Sequence, residues 1–359
     1  MTTVAVRSFA KINLGLYIGA ARADGFHELR TVYQTIALHD LIRVSVERKS
    51  GRGDRIEIVC DDERVPLDSS NTCYRIAERV MEELGASGRV RIEIDKRLPV
   101  QGGLGAASSN AVATMIAIER ALKKKLSTPV RLKIAAEIGS DLPLFLTGGT
   151  VLGVGRGEEV YPLPDLPAMA LAIVTPEVGV STPRAFADWD ALVKSGVELR
   201  SAGQTGASAP TRASADASVS APAQLTPPLP SDRLFEVGCA LSAWLSGSGN
   251  ISGSPNTGAS AKGGSRVGKL LSDLVRTGIE NDFERVVFPQ YPELRDIKGE
   301  LERAGSRYAS LSGSGSTLYG LFRSPAEAAK AASRLRKRGL KAVATSTLTR
   351  QKYWKKILD

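Results

Sequence analysis

Between Pro99 and Ala111 the chain reads PVQGGLGAASSNA, a glycine-rich loop set between a strand-like run, Val90 to Ile94, and a helical one, Ser108 to Leu122. Strand, tight glycine turn and helix in direct succession make the layout of a phosphate cradle. Gly102, Gly103 and Gly105 lack a Cβ, so the backbone there is free to take positive φ and to approach a ligand closely. Unpaired N–H groups at a helix start favour an anion. Ser108, Ser109 or Asn110 can cap that helix or set a polar group near a phosphate or its metal. A glycine-rich turn ahead of a well-capped helix has the same signature, so the loop alone does not decide between them.

Two better-known phosphate motifs are not the answer. No GxGxxG occurs in the chain, which removes the dinucleotide fingerprint. GGSRVGK at residues 263–269 nearly repeats a Walker A loop, but Leu270 brings no hydroxyl for Mg²⁺ and no strand precedes it.

Composition narrows the class further. With 359 residues and 42% hydrophobic content the chain can bury a full core, and its length suggests two domains. Cys60, Cys73 and Cys239 form no CxxC pair, and with two histidines they cannot build a usual zinc site. A reduced, cytoplasmic setting is expected. No apolar run approaches the roughly eighteen residues of a membrane span, and no signal-peptide pattern opens the chain. A net charge of +10 suits an anionic partner, either nucleic acid or a small phosphorylated substrate. The basic run at 334–338 falls on a helical pattern, reads as a solvated face and lacks the aromatic platforms that RNA binding needs.

In chain order, Val4 to Ile18 reads as a long strand, then Leu29 to Leu38 and Leu41 to Val46 as two strands joined tightly at His39-Asp40. Arg55 to Val59 is a short strand and Asn71 to Leu84 a helix capped by Asn71 and ended by Gly85. After the cradle and its helix comes a second helix, Pro129 to Ile138, broken by Gly139-Ser140-Asp141-Leu142-Pro143 and followed by two glycine-spaced strands through Val160. The prolines at 162, 164 and 167 put a boundary at Asp165, giving domains 1–165 and 166–359. The second opens with a strand, Ala168 to Thr175, and a helix, Pro183 to Val193. Stretches rich in Ala, Ser, Pro, Thr and Gly near 201–232 and 246–265 are expected to be disordered insertions flanking a helix at Leu234 to Leu245. Helices near Val267 to Val275, Asp282 to Val287 and Leu294 to Ala304 follow. Two strands, Arg307 to Leu311 and Thr317 to Phe322, flank an SGSGS turn, and helix Pro325 to Arg338 with strand Ala342 to Leu348 completes a split β-α unit.

Two polar residues stand out against this frame. Lys11 lies in a strand among Ala10, Ile12 and Leu14, with Asn13 two residues on and therefore on its face; it either snorkels to an edge or points into a polar cleft. Asp141 follows a helix end and either forms a turn with its own backbone or faces the same cleft. A cradle, a lysine and a carboxylate on separate segments are what phosphoryl transfer to an alcohol requires.

Four separated segments carry a family resemblance: SFAKINLGLYI with ADGFHEL (Ser8 to Leu29), LPVQGGLGAASSNA (Leu98 to Ala111), GSDLPLFL (Gly139 to Leu146) and SLSGSGST (Ser310 to Thr317). In these the chain resembles the GHMP kinase superfamily. The resemblance implies a two-domain α+β fold with a ribosomal protein S5 domain 2-like N-terminal domain, a ferredoxin-like C-terminal domain and the active site in the cleft between them. It implies an ATP-dependent kinase acting on an alcohol, with Lys11 and Asp141 as catalytic residues and Asp141 as the general base. Pro99, Val100, Gln101, Gly102, Gly103, Leu104, Gly105, Ala106, Ala107, Ser108 and Ser109 would bind the ATP phosphates, with Mg²⁺ carried by the nucleotide and no protein metal ligand named. Gln101, Ala106 and Ala107 stand where the family commonly has glycine, so positive φ at any of them would strain the loop.

By the same resemblance the substrate is a small molecule carrying a cytidine diphosphate. His27 would read the edge of the base, Phe26 and Phe186 would stack on its faces, and Asn13 would contact substrate. Phe186 alone reads equally as a core aromatic on its helix. The resemblance implies neither a nucleic-acid nor a membrane partner, and a monomer or homodimer. Two other readings remain at this point: another GHMP kinase of homoserine or mevalonate type, and a non-catalytic basic RNA-binding protein on the same N-terminal fold.

Overall fold

The computed structural model describes residues 3–48, 55–204 and 279–358. The fold is α+β and is built on two sheets. In the first, β1 (Thr3–Ala21) and β2 (His27–Arg48) form a long antiparallel hairpin. β2 is the spine: its second half pairs with β4 (Gly88–Asp95) and its first half with β5 (Thr150–Val154). β3 (Arg55–Cys60) lies parallel to β4 and β6 (Glu159–Pro162) antiparallel to β5, giving the order β3-β4-β2-β5-β6.

The expected break at His39-Asp40 does not exist; β2 runs straight through it. The irregularity is absorbed as a bulge, Phe9 pairing with His39 and Lys11 with Thr35. Asp40 makes no turn. It is fully buried and accepts from Lys96 Nζ at 2.8 Å, from the Arg97 and Leu98 N–H groups at 2.7 Å and from Asn110 Nδ2 at 3.0 Å. A short polar residue in an extended run was misread because its partners lie far away in sequence.

Helices cover one face of this sheet. In α1 (Thr72–Glu83) the cap is as expected, Asn71 accepting from Cys73 N at 2.8 Å, and Cys73, Ile76, Ala77, Val80 and Met81 form its buried stripe. α2 (Ala106–Leu122) is buried on nearly all sides, and α3 (Thr128–Ile138) follows. Leu142–Thr147, where the sequence shows only a helix break followed by strands, is a short helix, α4, with Pro143 in its first turn.

The second sheet comprises β7 (Ala170–Val174), β8 (Tyr308–Leu311), β9 (Leu318–Phe322) and β10 (Ala342–Ser346) in the order β10-β7-β9-β8, all antiparallel. That is the strand order of a ferredoxin-like unit. Around it lie α5 (Thr182–Gln204), α6 (Glu284–Gln290), α7 (Pro292–Arg303) and α8 (Pro325–Lys337). α5 runs eleven residues past the expected end, through residues 201–204 that composition had assigned to an insertion. The rest of both expected insertions, the helices at Leu234 to Leu245 and Val267 to Val275, and GGSRVGK lie outside the described residues.

After β10 the chain returns to the first sheet as α9 (Arg350–Lys356), which sequence reading did not foresee. Tyr353 and Ile357 enter the core formed by Val6, Phe9 and α1 to α4. A second core belongs to the ferredoxin-like unit. Between the sheets a third joins them: Ala10, Ile12 and Leu14 of β1 meet Leu171, Ile173, Tyr319 and Leu321. Each Leu or Ile among them, once fully buried, contributes about 1.5–3 kcal/mol, so the two units are welded where β1 crosses.

Candidate active site

Lys11 and Asn13 project from the middle of β1 on one face, as the two-residue period requires, and both are buried at 3% and 1% exposure. Snorkelling is thereby ruled out. Lys11 Nζ donates to Asn13 Oδ1 at 2.7 Å and stands 3.3 Å from Asp141 Oδ2. Asn13 Nδ2 donates to Thr31 Oγ1 at 2.7 Å, and Thr31 in turn to the Gly15 carbonyl at 2.8 Å, so the amide orientation is set by β2. Asp141 sits at the N-cap position of α4 but makes no cap bond with its side chain. Its other oxygen, Oδ1, accepts from Tyr33 Oη at 2.9 Å. The turn-forming reading of Asp141 fails, because both oxygens are turned to other segments. Burial, then the Asp141 carboxylate, push the Tyr33 hydroxyl well above its ordinary range, so it stays a donor.

The glycine loop closes over this group from one side. Lys11 N donates to the Leu104 carbonyl at 3.0 Å, and a Cβ on Gly105 would lie 3.0 Å from Lys11 Cγ. The SGSGS turn supports the loop from the second unit: Ser312 Oγ donates to the Gly103 carbonyl at 3.0 Å and Thr317 N to the Gly102 carbonyl at 3.2 Å. Gly103 is obligatory, since its φ is +76° and a Cβ there would fall 2.1 Å from Ser312 O. Asn281 holds the turn in place by donating to the Leu311 and Gly313 carbonyls at 2.9 and 2.8 Å.

α2 starts at Ala106, two residues before the sequence reading, and Gly105 at its N-cap gives no side-chain cap. Neither Ser108, Ser109 nor Asn110 caps it: Ser109 lies within the helix, accepting from Ser8 Oγ at 2.7 Å, and Asn110 binds Asp40. The first intrahelical bond is Ser109 N to Gly105 O at 2.9 Å, which leaves the N–H groups of Ala106, Ala107 and Ser108 without an intrahelical acceptor. They face a cavity of about 380 Å³ whose lining includes Val65, Lys96, Pro99, Val100, Gln101 and Ser108. A Cβ at any of the three glycines would press on neighbouring atoms, and the uncapped helix start offers its N–H groups to an anion. Of the three non-glycine positions, Ala106 and Ala107 are helical and unstrained; Gln101 takes φ +58° and carries the strain alone. Among the described residues no three His, Cys, Asp or Glu side chains gather as a metal site.

On the far side of Lys11 the hairpin turn 22–26 presents Phe26, 48% exposed, with the Arg156 guanidinium 4.8 Å above its ring. His27 is buried. Phe186 of α5 stacks on it at 4.8 Å and 13°, and the edge of Phe283 meets Phe186 at 5.0 Å. Phe186 therefore has one face on His27 and belongs to an aromatic cluster rather than to the core alone.

Two family models match the chain: the GHMP kinases N-terminal domain over residues 71–149 and the C-terminal domain over 261–341. A 4-diphosphocytidyl-2-C-methyl-D-erythritol kinase of Solibacter usitatus is 35% identical over 318 residues, 89% of this chain and 81% of that protein. The chain belongs to the GHMP kinase family. It is an ATP-dependent kinase. The crystal structure of a 4-(cytidine 5'-diphospho)-2C-methyl-D-erythritol kinase superposes on this GHMP kinase with a TM-score of 0.63 at 27% identity, over 96% of this chain and 98% of that one. A homoserine kinase from Cytophaga hutchinsonii reaches the same TM-score, 0.63, at 21% identity over 97% and 95%, and shares the fold. Among the described residues no helix is long and apolar enough to cross a membrane.

Sequence reading missed Tyr33, Thr31 and Asp190, whose Oδ1 lies 2.7 Å from His27 Nε2. Tyr33 pairs with Asn13 across the hairpin, a register that one sequence does not reveal. Asp190 lies four residues after Phe186, and that helical spacing was the available signal.

Proposed function

We propose that this kinase transfers the γ-phosphate of ATP to the 2-hydroxyl of 4-diphosphocytidyl-2-C-methyl-D-erythritol, in the methylerythritol phosphate route to isoprenoids. The observation that carries the reading is the Lys11–Asp141 pair, 3.3 Å apart, in which Lys11 belongs to a hairpin whose Lys11 N–H bonds the glycine loop at the Leu104 carbonyl and whose end carries the Phe26-His27 turn. In this reading Asp141 accepts the proton of the hydroxyl as the new P–O bond forms and the bond to the departing ADP breaks. Lys11 holds the hydroxyl, Asp141 and the transferring phosphate in register, and Asn13 fixes the ammonium. The N–H groups of Ala106, Ala107 and Ser108 bind phosphate oxygens. Mg²⁺ bound with the nucleotide supplies charge neutralisation between phosphates. His27 and Phe26 take the cytosine, the enzyme works in the cytoplasm, and it is a monomer or homodimer.

The test is ADP release with MgATP and the cytidine-linked alcohol, beside Asp141→Asn, with homoserine and mevalonate as competing acceptors. Turnover with the cytidine compound only, lost in Asp141→Asn, is expected; comparable turnover with homoserine or mevalonate overturns the substrate assignment. His27→Ala should raise the KM for the cytidine compound far more than the KM for ATP.

A further inference from the structure

His27 has a partner that the reacting centre does not use. Its Nε2 lies 2.7 Å from Oδ1 of Asp190. Asp190 and Phe186 are four residues apart on α5, hence on one face of that helix, and that face grips the imidazole twice, by the ring stack and by the carboxylate. A carboxylate has no hydrogen to give, so the proton in this bond is carried by Nε2. In the neutral ring Nδ1 is then bare and can only accept. Among the described residues no protein donor is bonded to it.

We propose that Asp190 is a specificity-determining positioning residue, holding His27 as the Nε2–H tautomer so that Nδ1 accepts from the exocyclic amine of an aminopyrimidine and disfavours an oxopyrimidine. This rests on the cytidine reading above and deepens it. A cytosine presents an N–H₂ donor at the position where uracil presents a carbonyl oxygen. Against a bare Nδ1 the first makes a hydrogen bond and the second sets lone pair against lone pair. The reversed tautomer would invert the preference, so the choice of base is set by Asp190 through the proton it fixes on the far side of the ring.

The chain contains two histidines, and the second is an internal reference. His39 Nδ1 lies 2.9 Å from the Ala37 carbonyl, a bond in which Nδ1 donates, so the two rings are expected as opposite tautomers. ¹⁵N NMR of the full chain with labelled histidine reads this directly at a pH where the rings are neutral. The paired measurement is titration with cytidine 5'-diphosphate and with uridine 5'-diphosphate. The wild type is expected to prefer the cytidine compound by about tenfold or more. Asp190→Ala should reduce that preference to below about threefold and mix the His27 tautomers. Asp190→Asn, whose amide oxygen still accepts from Nε2–H, should retain most of the preference. Asp190 is 44% exposed, so Asp190→Ala is expected to melt with the wild type, and the comparison is made on protein shown to be folded.

An Nδ1–H or doubly protonated His27 in the wild type, equal binding of the two diphosphates, or an unchanged preference in folded Asp190→Ala overturns the proposal. Neither readout uses phosphoryl transfer. A protein with the expected tautomer and preference but no ADP release with the cytidine-linked alcohol refutes the proposed reaction and upholds the role of Asp190; turnover with the wrong tautomer does the reverse.

Discussion

Tyr33 Oη donates to Asp141 Oδ1 at 2.9 Å from a ring lodged where Gly153 and Gly157 leave room; a Cβ on either glycine would fall 2.5 Å from a Tyr33 atom. The hydroxyl leaves Asp141 one oxygen, the one beside Lys11, to face a reacting group. Tyr33→Phe keeps the ring and loses the bond. A hydrogen bond to a charged group is worth about 1.5–3 kcal/mol, so kcat should fall by about ten- to a hundredfold with the KM for ATP nearly unchanged. Steady-state ADP release decides; an unchanged kcat would show that Asp141 needs no such anchor.

Removal of the carboxylate itself is a larger change. A general base contributes typically about 10²–10⁴ in rate, and Asp141→Asn should lose that much kcat while the protein still binds nucleotide. Binding is followed by calorimetry. Lost nucleotide binding would mean that Asp141 supports the cradle instead.

Gln101 is the strained residue of the loop, at φ +58°. For a residue with a Cβ that conformation costs about 1–2 kcal/mol, and a β-branched side chain tolerates it least. Gln101→Val should add to the strain that Gln101 already carries, lowering the denaturant midpoint and raising the KM for ATP several-fold. Gln101→Gly should be near neutral in stability, since relief of strain and added unfolded-state entropy, each about 1 kcal/mol, oppose each other. Denaturant midpoints and the KM for ATP test both variants.

Asp40 ties β2 to the segment that enters the glycine loop, through the N–H groups of Arg97 and Leu98 and the Lys96 ammonium. Asp40→Ala strands Lys96, only 7% exposed, without its counter-charge. Breaking a buried pair this way costs about 3–5 kcal/mol, and urea unfolding should register a loss of that order.

Alkali should unfold the chain cooperatively. Burial raises the hydroxyls of Tyr33, Tyr308, Tyr319 and Tyr353 far above the ordinary tyrosine range. Above a pH of about 10 the unfolded chain binds fewer protons at these sites than the folded one, so stability falls as pH rises. Ultraviolet titration should show these tyrosinates appearing together with the loss of circular dichroism. Gradual ionisation with an intact spectrum would contradict the burial.

The strands and capped helices of this chain were readable because their signals are local: Asn71 before α1, Pro129 in α3, and the period that pairs Lys11 with Asn13. The cradle and the two charged groups were legible as residue types in segments. Unreadable were features fixed by partners distant in sequence. Asp40 imitates a turn until Lys96 and Asn110 arrive; α9 is a basic tail until Tyr353 finds the first core; Ser108 looks like a cap until Gly105 takes that place. Tyr33 belongs to the same kind, a buried phenol given meaning by a loop 108 residues away.

β1 is a through-beam. In 19 residues it contributes Phe9 to the first core, Ile12 to the middle one and Ile18 to the ferredoxin-like core, with Lys11 at its centre. Its far end is clamped by Asn281 and Asp282, the latter accepting from Ile18 N at 2.9 Å. A hinge between the two units would have to shear that ladder, so admission of substrate falls to the surface pieces around it, the 22–26 turn and the face of α5. Amide exchange through the buried middle of β1, Ser8 to Ile18, should accordingly be slow, the signature of a machine whose jaws are its lips and whose jawbone is a single rod.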